Sequence, residues 1–378
     1  MSHLAIILPS LRGGGAEGVM MTLANAFAAQ GHRVDLVLAS AQGPFLKEVA
    51  PGVRVIDLKS KRVTGALLPL ISYFRRERPH VILSAPCHVN VVALLARAIS
   101  RIKARLVVSE RNSMTQGLGS RSDRILLWLM RRLYPSADMV VCVSRGVEEE
   151  LATLAGVPRH KLRTIYNPIN FEKIREGMNA PLDHPWLKQA GVPVLLAVGR
   201  LAPQKDYPTL LRGFARLRQD RRARLVILGE GQERPELEKL CRDLNIATDV
   251  EFAGFQPNPF AWMAACDLFV MSSAWEGLPN ALLQAIACGA PVVSTDCRTG
   301  PDEILEHGKW GRLVPVGDAP GLAEAMLDAL DDRSPPDVQH RAEAFKIEQV
   351  VADYAEVLGL GQHNGPPMVS MPQGLFAT

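Results

Sequence analysis

The chain is predicted to be an α/β protein of two Rossmann-like domains, each a doubly wound parallel sheet, facing one another across a cleft. Three observations lead there. Short β-branched apolar runs alternate with longer segments of helical period, the pattern of a parallel sheet covered by helices on both faces. The series of strands stops and restarts once, at a proline-rich stretch near the middle. At 378 residues the chain is too long for one simple core and long enough for two.

In the first half the strand candidates are LAIILP (4–9), RVDLVLA (33–39), RVIDL (54–58), VILSA (81–85), RLVVSE (105–110) and MVVCVS (139–144). Pro168, Pro181, Pro185 and Pro193 then interrupt both periodicities, which places a linker at 167–192. The series resumes with VLLAVGR (194–200), RLVILGE (224–230), VEFAGF (250–255), LFVMSS (268–273), PVVST (291–295) and RLVPV (312–316). The first domain is therefore set at 1–168 and the second at 169–345. A final amphipathic helix, 346–360, carries Val350, Val351, Tyr354, Val357 and Leu358 on its apolar face and can cross back to the first domain. Residues 361–378, rich in Gly and Pro, read as a disordered tail.

Hydrophobic residues make up 47% and charged residues 22%, values ordinary for a soluble globular protein. A net charge of +4 without clustered cations and aromatic platforms gives no nucleic-acid footprint. The six cysteines, Cys87, Cys142, Cys241, Cys266, Cys288 and Cys297, show neither CxxC pairs nor metal-ligand spacing. They read as reduced, buried thiols of a cytosolic protein. The first apolar run is too short for a signal peptide, and no stretch reaches the ~20 residues that span a bilayer.

In such folds ligands bind in the loops after the strands, and three of those loops carry unusual residues. Gly13, Gly14 and Gly15 stand between the first strand and a helix beginning near Ala16, where free amides and the helix dipole can seat an anion. Glycines alone serve equally well as a flexible turn, and the full GxGxxG spacing is missing. Glu17 complements the dipole. Arg200 and Lys205 follow the first strand of the second series and can converge on a diphosphate. In SSAWEGLPNALLQAIACGAPVVSTD (272–296), Pro279 suits a first helical position and Gly289 the helix end, with Asn280 and Gln284 one turn apart. Glu276 is either a dipole-complementing acid or a ligand contact beside amides that hold an anion.

The motifs RGGGAE, VGRLAPQKDYPTLL (198–211), LGEGQERPELEKL (228–240), FAGF (252–255), EGLPNALLQAIACGAPVVSTD (276–296) and GPDEILEHGKWGRLVPVGD (300–318) together resemble one family. It is the retaining glycosyltransferases of the GT-B fold known as glycosyltransferase family 4, or group 1. The resemblance covers the second domain nearly completely and the first more loosely. It implies transfer of a sugar from a nucleoside-diphosphate donor, expected to be a UDP-sugar, to a glycan or polyprenyl-linked glycan acceptor in cell-surface polysaccharide biosynthesis. No cofactor and no metal are expected, in keeping with the lack of any Asp-x-Asp in the chain. By the same resemblance Arg200 and Lys205 stabilise the leaving diphosphate and Glu276 contacts the donor sugar. Gly14 and Gly15 approach the diphosphate from the first domain, and the backbone of Gly277, Leu278, Pro279 and Asn280 lies beside it. Position 284 reaches the ribose, while Gly229, Gly231, Gly254 and Phe255 bound the nucleoside pocket.

The chain departs from the family pattern in two places. Gln284 stands where a second Glu is usual, and an amide accepts one bond and donates another where a carboxylate accepts from both ribose hydroxyls. Many relatives carry a histidine at a first-domain strand end where this chain has Glu110, Arg111 and Asn112, with His88 after the preceding strand. His88, Glu110 and Arg111 are the acceptor-side candidates. The segment 120–136 mixes Arg121, Arg124, Arg131 and Arg132 with Ile125, Leu126, Leu127, Trp128, Leu129 and Leu133. It either packs on the core with a basic edge or leans on an anionic membrane, which would put the protein at the inner face of the cell membrane. Other readings are a GT-B nucleotide-sugar epimerase and, given Gln284, a non-catalytic carbohydrate-binding homologue. A nicotinamide dehydrogenase would need an acid after the second strand, whereas Asp35 lies within it.

Overall fold

A computed structural model describes residues 2–114, 121–189 and 191–361, and the tail expected at 361–378 lies outside it from residue 362 onward. Among the described residues two parallel sheets are present. The first runs in the order β3-β2-β1-β4-β5-β6-β7 and comprises β1 (His3–Leu8), β2 (Arg33–Leu38), β3 (Val53–Asp57), β4 (Val81–Ser84), β5 (Arg105–Glu110), β6 (Met139–Cys142) and β7 (Leu162–Thr164). The second runs β10-β9-β8-β11-β12-β13 and comprises β8 (Val194–Val198), β9 (Arg224–Leu228), β10 (Val250–Gly254), β11 (Leu268–Met271), β12 (Val292–Thr295) and β13 (Arg312–Val314). Central strands such as β1 and β11 are buried along their whole length, as continuous apolar runs covered on both faces must be. β7 is the strand absent from the sequence pattern: in Leu-Arg-Thr only one residue is apolar, and pairing with β6 defines it.

Each sheet reverses its strand order once, between β1 and β4 in the first and between β8 and β11 in the second. Loops diverge at such a switch point and leave a crevice at the carboxyl ends of the strands. The glycine loop follows β1, His88 follows β4, Arg200 and Lys205 follow β8, and Glu276 follows β11.

The chain crosses between the domains twice. On the way out, residues after β7 lead into the helix Phe171–Met178, which is capped by Asn170 and docks Ile174 and Gly177 against Phe260. The described residues of the 167–192 stretch are thus ordered structure laid on the second domain, held further by His184, which bonds Glu251 at 3.0 Å and stacks edge-on to Trp186. On the way back, the helix Ile347–Leu358 buries Val350, Val351, Tyr354, Val357 and Leu358 in the same apolar cluster as β1 and the helix Gly15–Ala29. The two crossings are hydrogen-bonded to each other, Ile169 N donating to Phe345 O at 2.7 Å and Ile347 N to Ile169 O at 3.1 Å.

Asp35 is wholly buried in β2, where it accepts from Arg54 (2.8 Å) and Tyr73 (2.6 Å) and meets His3 at 2.9 Å. Burial raises the pKa of its carboxyl, but bonds from Arg54, Tyr73 and His3 outweigh that and bring it to about 2. It is a structural acid with its acceptor capacity in use.

Candidate active site

The glycine loop meets the helix Gly15–Ala29 after a turn at Gly13, whose φ of 105° an L side chain rarely adopts. Glu17 folds back over this turn. Its Oε2 accepts from the amides of Gly13 (3.0 Å) and Gly14 (3.2 Å), and its Oε1 accepts from Ser10 Oγ at 2.8 Å. The anion seat read from the sequence is therefore occupied by the protein's own carboxylate, a closer role than dipole complementation alone.

After β8 the chain forms a short turn, Pro203–Lys205, and Asp206 in the left-handed region (φ 43°) opens the helix Tyr207–Asp220. The loops after β8 and β9 touch backbone to backbone. A Cβ on Gly229 would stand 1.9 Å from Gly199 O, and one on Gly231 2.1 Å from Leu201 O. Gly229 and Gly231 thus hold the Arg200–Lys205 loop in place by having no side chain. Gly254 turns the chain at φ 71°, and Phe255 beside it is exposed.

Glu276 is the centre of the site. It is 7% exposed, and its Oε1 lies 2.5 Å from Lys205 Nζ and accepts from Ser273 Oγ at 2.8 Å. Gln204 Nε2 donates to Glu276 Oε2 (3.3 Å) and to Trp275 O (3.0 Å), while Thr299 Oγ1 donates to the Glu276 carbonyl. Arg200 is exposed and reaches Gln204 Oε1 at 3.5 Å. Gln204 and Ser273 were not singled out in the sequence, where a neutral amide and a strand-end hydroxyl carry no signal. The helix that follows is Asn280–Ala287, so Pro279, expected as a first helical residue, is its N-cap with extended ψ of 108°. Gly289 stands just past the helix end at φ 84°, as expected. Gln284 is half-buried one turn from Asn280.

The first domain closes on this loop directly. A Cβ on Gly277 would stand 2.2 Å from Arg111 O, and Asn280 Nδ2 donates to Gly15 O at 3.1 Å. Further along, the carboxylate of Glu303 accepts from the amides of Arg145 (2.8 Å) and Gly146 (2.9 Å) at the start of the helix Arg145–Leu154. Among the described residues no three His, Cys, Asp or Glu side chains are grouped as a metal site requires.

Of the acceptor-side candidates only His88 is exposed; Glu110 and Arg111 are buried. Arg111 donates to Asn167 Oδ1 at 2.5 Å, and Glu110 accepts from Tyr134 OH (2.9 Å) and Arg111 N (3.1 Å). Burial pushes the Glu110 carboxyl up to about 7, against the lowering effect of the Tyr134 bond. The raised value favours the protonated form, so the stability it contributes is full below the ordinary carboxylate range and is lost as pH rises through about 7. The shift corresponds to roughly 3 kcal/mol. Glu110→Gln is expected to remove that slope, so that urea unfolding of wild type and variant diverges between pH 5 and 8. Parallel profiles would contradict it.

The comparisons with known proteins follow the same outline. Residues 13–173 match the model for Glycosyltransferase Family 4, and residues 192–332 match that for Glycosyl transferases group 1. An N-acetylgalactosaminyltransferase of Campylobacter jejuni that acts on a diphospho-undecaprenol-linked glycan is 32% identical over 88% of this chain and 91% of its own. The chain belongs to glycosyltransferase family 4. A second member of the family, the lipopolysaccharide core biosynthesis glycosyltransferase LpsE of Rhizobium meliloti, is 31% identical over 85% of this chain and 87% of its own. Anabaena HepE, solved with UDP-glucose, superposes with a TM-score of 0.80 at 21% identity, covering 95% of this chain and 100% of that one. The two-sheet architecture is accordingly the GT-B fold, and the protein is a glycosyltransferase.

Proposed function

We propose that this glycosyltransferase moves a sugar from a UDP-sugar to a glycan or polyprenyl-linked glycan, with retention at the anomeric carbon and without a metal ion or other cofactor. The observation that carries the reading is the Lys205–Glu276 pair at the switch point of the second sheet, on a loop whose Asn280 bonds Gly15 of the first domain's glycine loop. A donor diphosphate is the natural partner for Lys205 and Arg200, and the amides at the start of the helix Asn280–Ala287 add the positive end of a helix. Glu276, released from Lys205, then accepts from hydroxyls of the donor sugar. The acceptor hydroxyl forms its bond to the anomeric carbon on the face from which the diphosphate departs, and its proton passes to a departing phosphate oxygen. The activity of the Campylobacter relative, on an undecaprenol-linked glycan, supports the acceptor class, and UDP-glucose bound in HepE supports the nucleotide.

A thermal-shift screen with UDP, GDP, ADP and their sugars is the direct test, since a bound ligand raises Tm by mass action. The largest rise is expected with UDP and one of its sugars, turnover should be unchanged by EDTA, and Gln284→Glu should alter donor affinity several-fold. No stabilisation by any nucleotide, together with no turnover, overturns the reading.

We place the protein in the cytoplasm, peripheral to the inner face of the cell membrane. The supporting feature is the helix Arg121–Leu133, which turns Met130 inward and leaves Ile125 and Trp128 more than half exposed, with Arg132 stacked 5.6 Å from the Trp128 ring. No helix among the described residues is long and apolar enough to cross a membrane. Co-sedimentation with liposomes is expected to rise with anionic lipid and to fall in Trp128→Ala and Arg124→Gln/Arg132→Gln. Binding indifferent to both would remove the membrane from the proposal.

A further inference from the structure

We propose that Asn167 is a positioning residue that fixes the donor loop 276–280 against the first domain. The inference rests on the donor-site reading above. Asn167 lies just beyond β7, in the outgoing crossing, and is 3% exposed. Its Oδ1 accepts from Arg111 Nη2 at 2.5 Å, and its Nδ2 donates to Leu278 O at 3.1 Å and to Asn280 Oδ1 at 2.6 Å. Asn280 Nδ2 in turn donates to Gly15 O at 3.1 Å.

The direction of this chain is fixed at both ends. A guanidinium only donates and a backbone carbonyl only accepts, so each amide between them has one permitted orientation. Arg111, Asn167, Asn280 and Gly15 therefore form a single run of bonds linking the end of β5, the domain crossing, the start of the donor helix and the glycine loop. Two further contacts hold the same loop: Gly277 lies under Arg111 O, and Pro279 packs against Gly300, where a Cβ would stand 2.7 Å from Pro279 Cδ. The loop carries Glu276 and the helix-start amides that face the diphosphate, so its placement sets their aim.

Asn167→Asp isolates this role. A carboxylate at 167 still accepts from Arg111, as an ion pair, and keeps the buried guanidinium satisfied, but it cannot donate to Leu278 O or Asn280 Oδ1 and repels both. The variant is expected to stay folded, with Tm close to wild type, while donor KM rises about tenfold and kcat changes less. In ligand-free protein, hydrogen exchange at the amides of Gly277, Leu278 and Asn280 is expected to accelerate. Asn280→Ala removes one of the two bonds that Asn167 Nδ2 donates, so Asn167→Asp added to it should cost less donor affinity than it does alone, the Leu278 bond being what is left to lose. Unchanged exchange at those three amides, or fully additive effects on donor KM, overturns the inference. The exchange measurement needs no donor. If wild type binds no nucleotide sugar, the function proposed above fails, and the exchange result still decides the role of Asn167.

Discussion

Lys205→Met is expected to lower kcat/KM for sugar transfer by roughly 10²–10³-fold, the usual cost of removing one charge-stabilising donor from a preorganised site. It should also lower the melting temperature. Glu276 and Lys205 have side chains only 9% and 16% exposed, and removing the cation leaves a carboxylate with little access to water. Glu276→Gln should cost comparable activity by a different route, because the amide no longer offers two acceptor oxygens to the donor sugar while Lys205 is left free to bind phosphate. The double variant Lys205→Met/Glu276→Gln separates the two effects. It should recover the melting temperature, since no unpaired charge remains, and recover none of the activity. Rates of UDP release and thermal unfolding of the four proteins give both readouts, and near-wild-type turnover in Lys205→Met would contradict the assignment.

Gly277→Ala should be nearly as damaging, and it tests the meeting of the domains. The added carbon would stand 2.2 Å from Arg111 O and 2.9 Å from Asn112 Cα, both backbone atoms that cannot swing aside. The domains must part or the donor loop must shift, and either moves Glu276 away from the glycine loop. A loss of about 100-fold in kcat is expected. Gly52→Ala is the control, because its Cβ would meet only Ala28 Cβ at an ordinary 3.5 Å. Equal behaviour of the two variants would mean that this contact does not matter to transfer.

Much of the fold was legible because buried parallel strands are written as uninterrupted β-branched runs, and their loops fall at predictable ends. β7 was not, since a three-residue edge strand with one apolar side chain exists only through its neighbour. The site was legible where it is made of loops with distinctive residues, as at Lys205 and Glu276. Their contact was not, because the partners are 71 residues apart in sequence. Glu110 and Arg111 stood at a strand end, where position suggested an open side chain; Tyr134 and Asn167, from two other segments, enclose them. Asn167 itself lay in what read as a linker, and nothing local marks an asparagine whose partners come from two other parts of the chain.

The returning helix Ile347–Leu358 has a consequence for the order in which the molecule is made. It supplies Val350, Val351 and Tyr354 to a core that β1 and the helix Gly15–Ala29 begin near the start of the chain. Domains generally fold in turn as they are synthesised, N-terminal first. Here the first domain leaves the ribosome with an apolar face uncovered and keeps it so until the whole second domain has been translated. Of the two domains, the one made first is thus the one finished last.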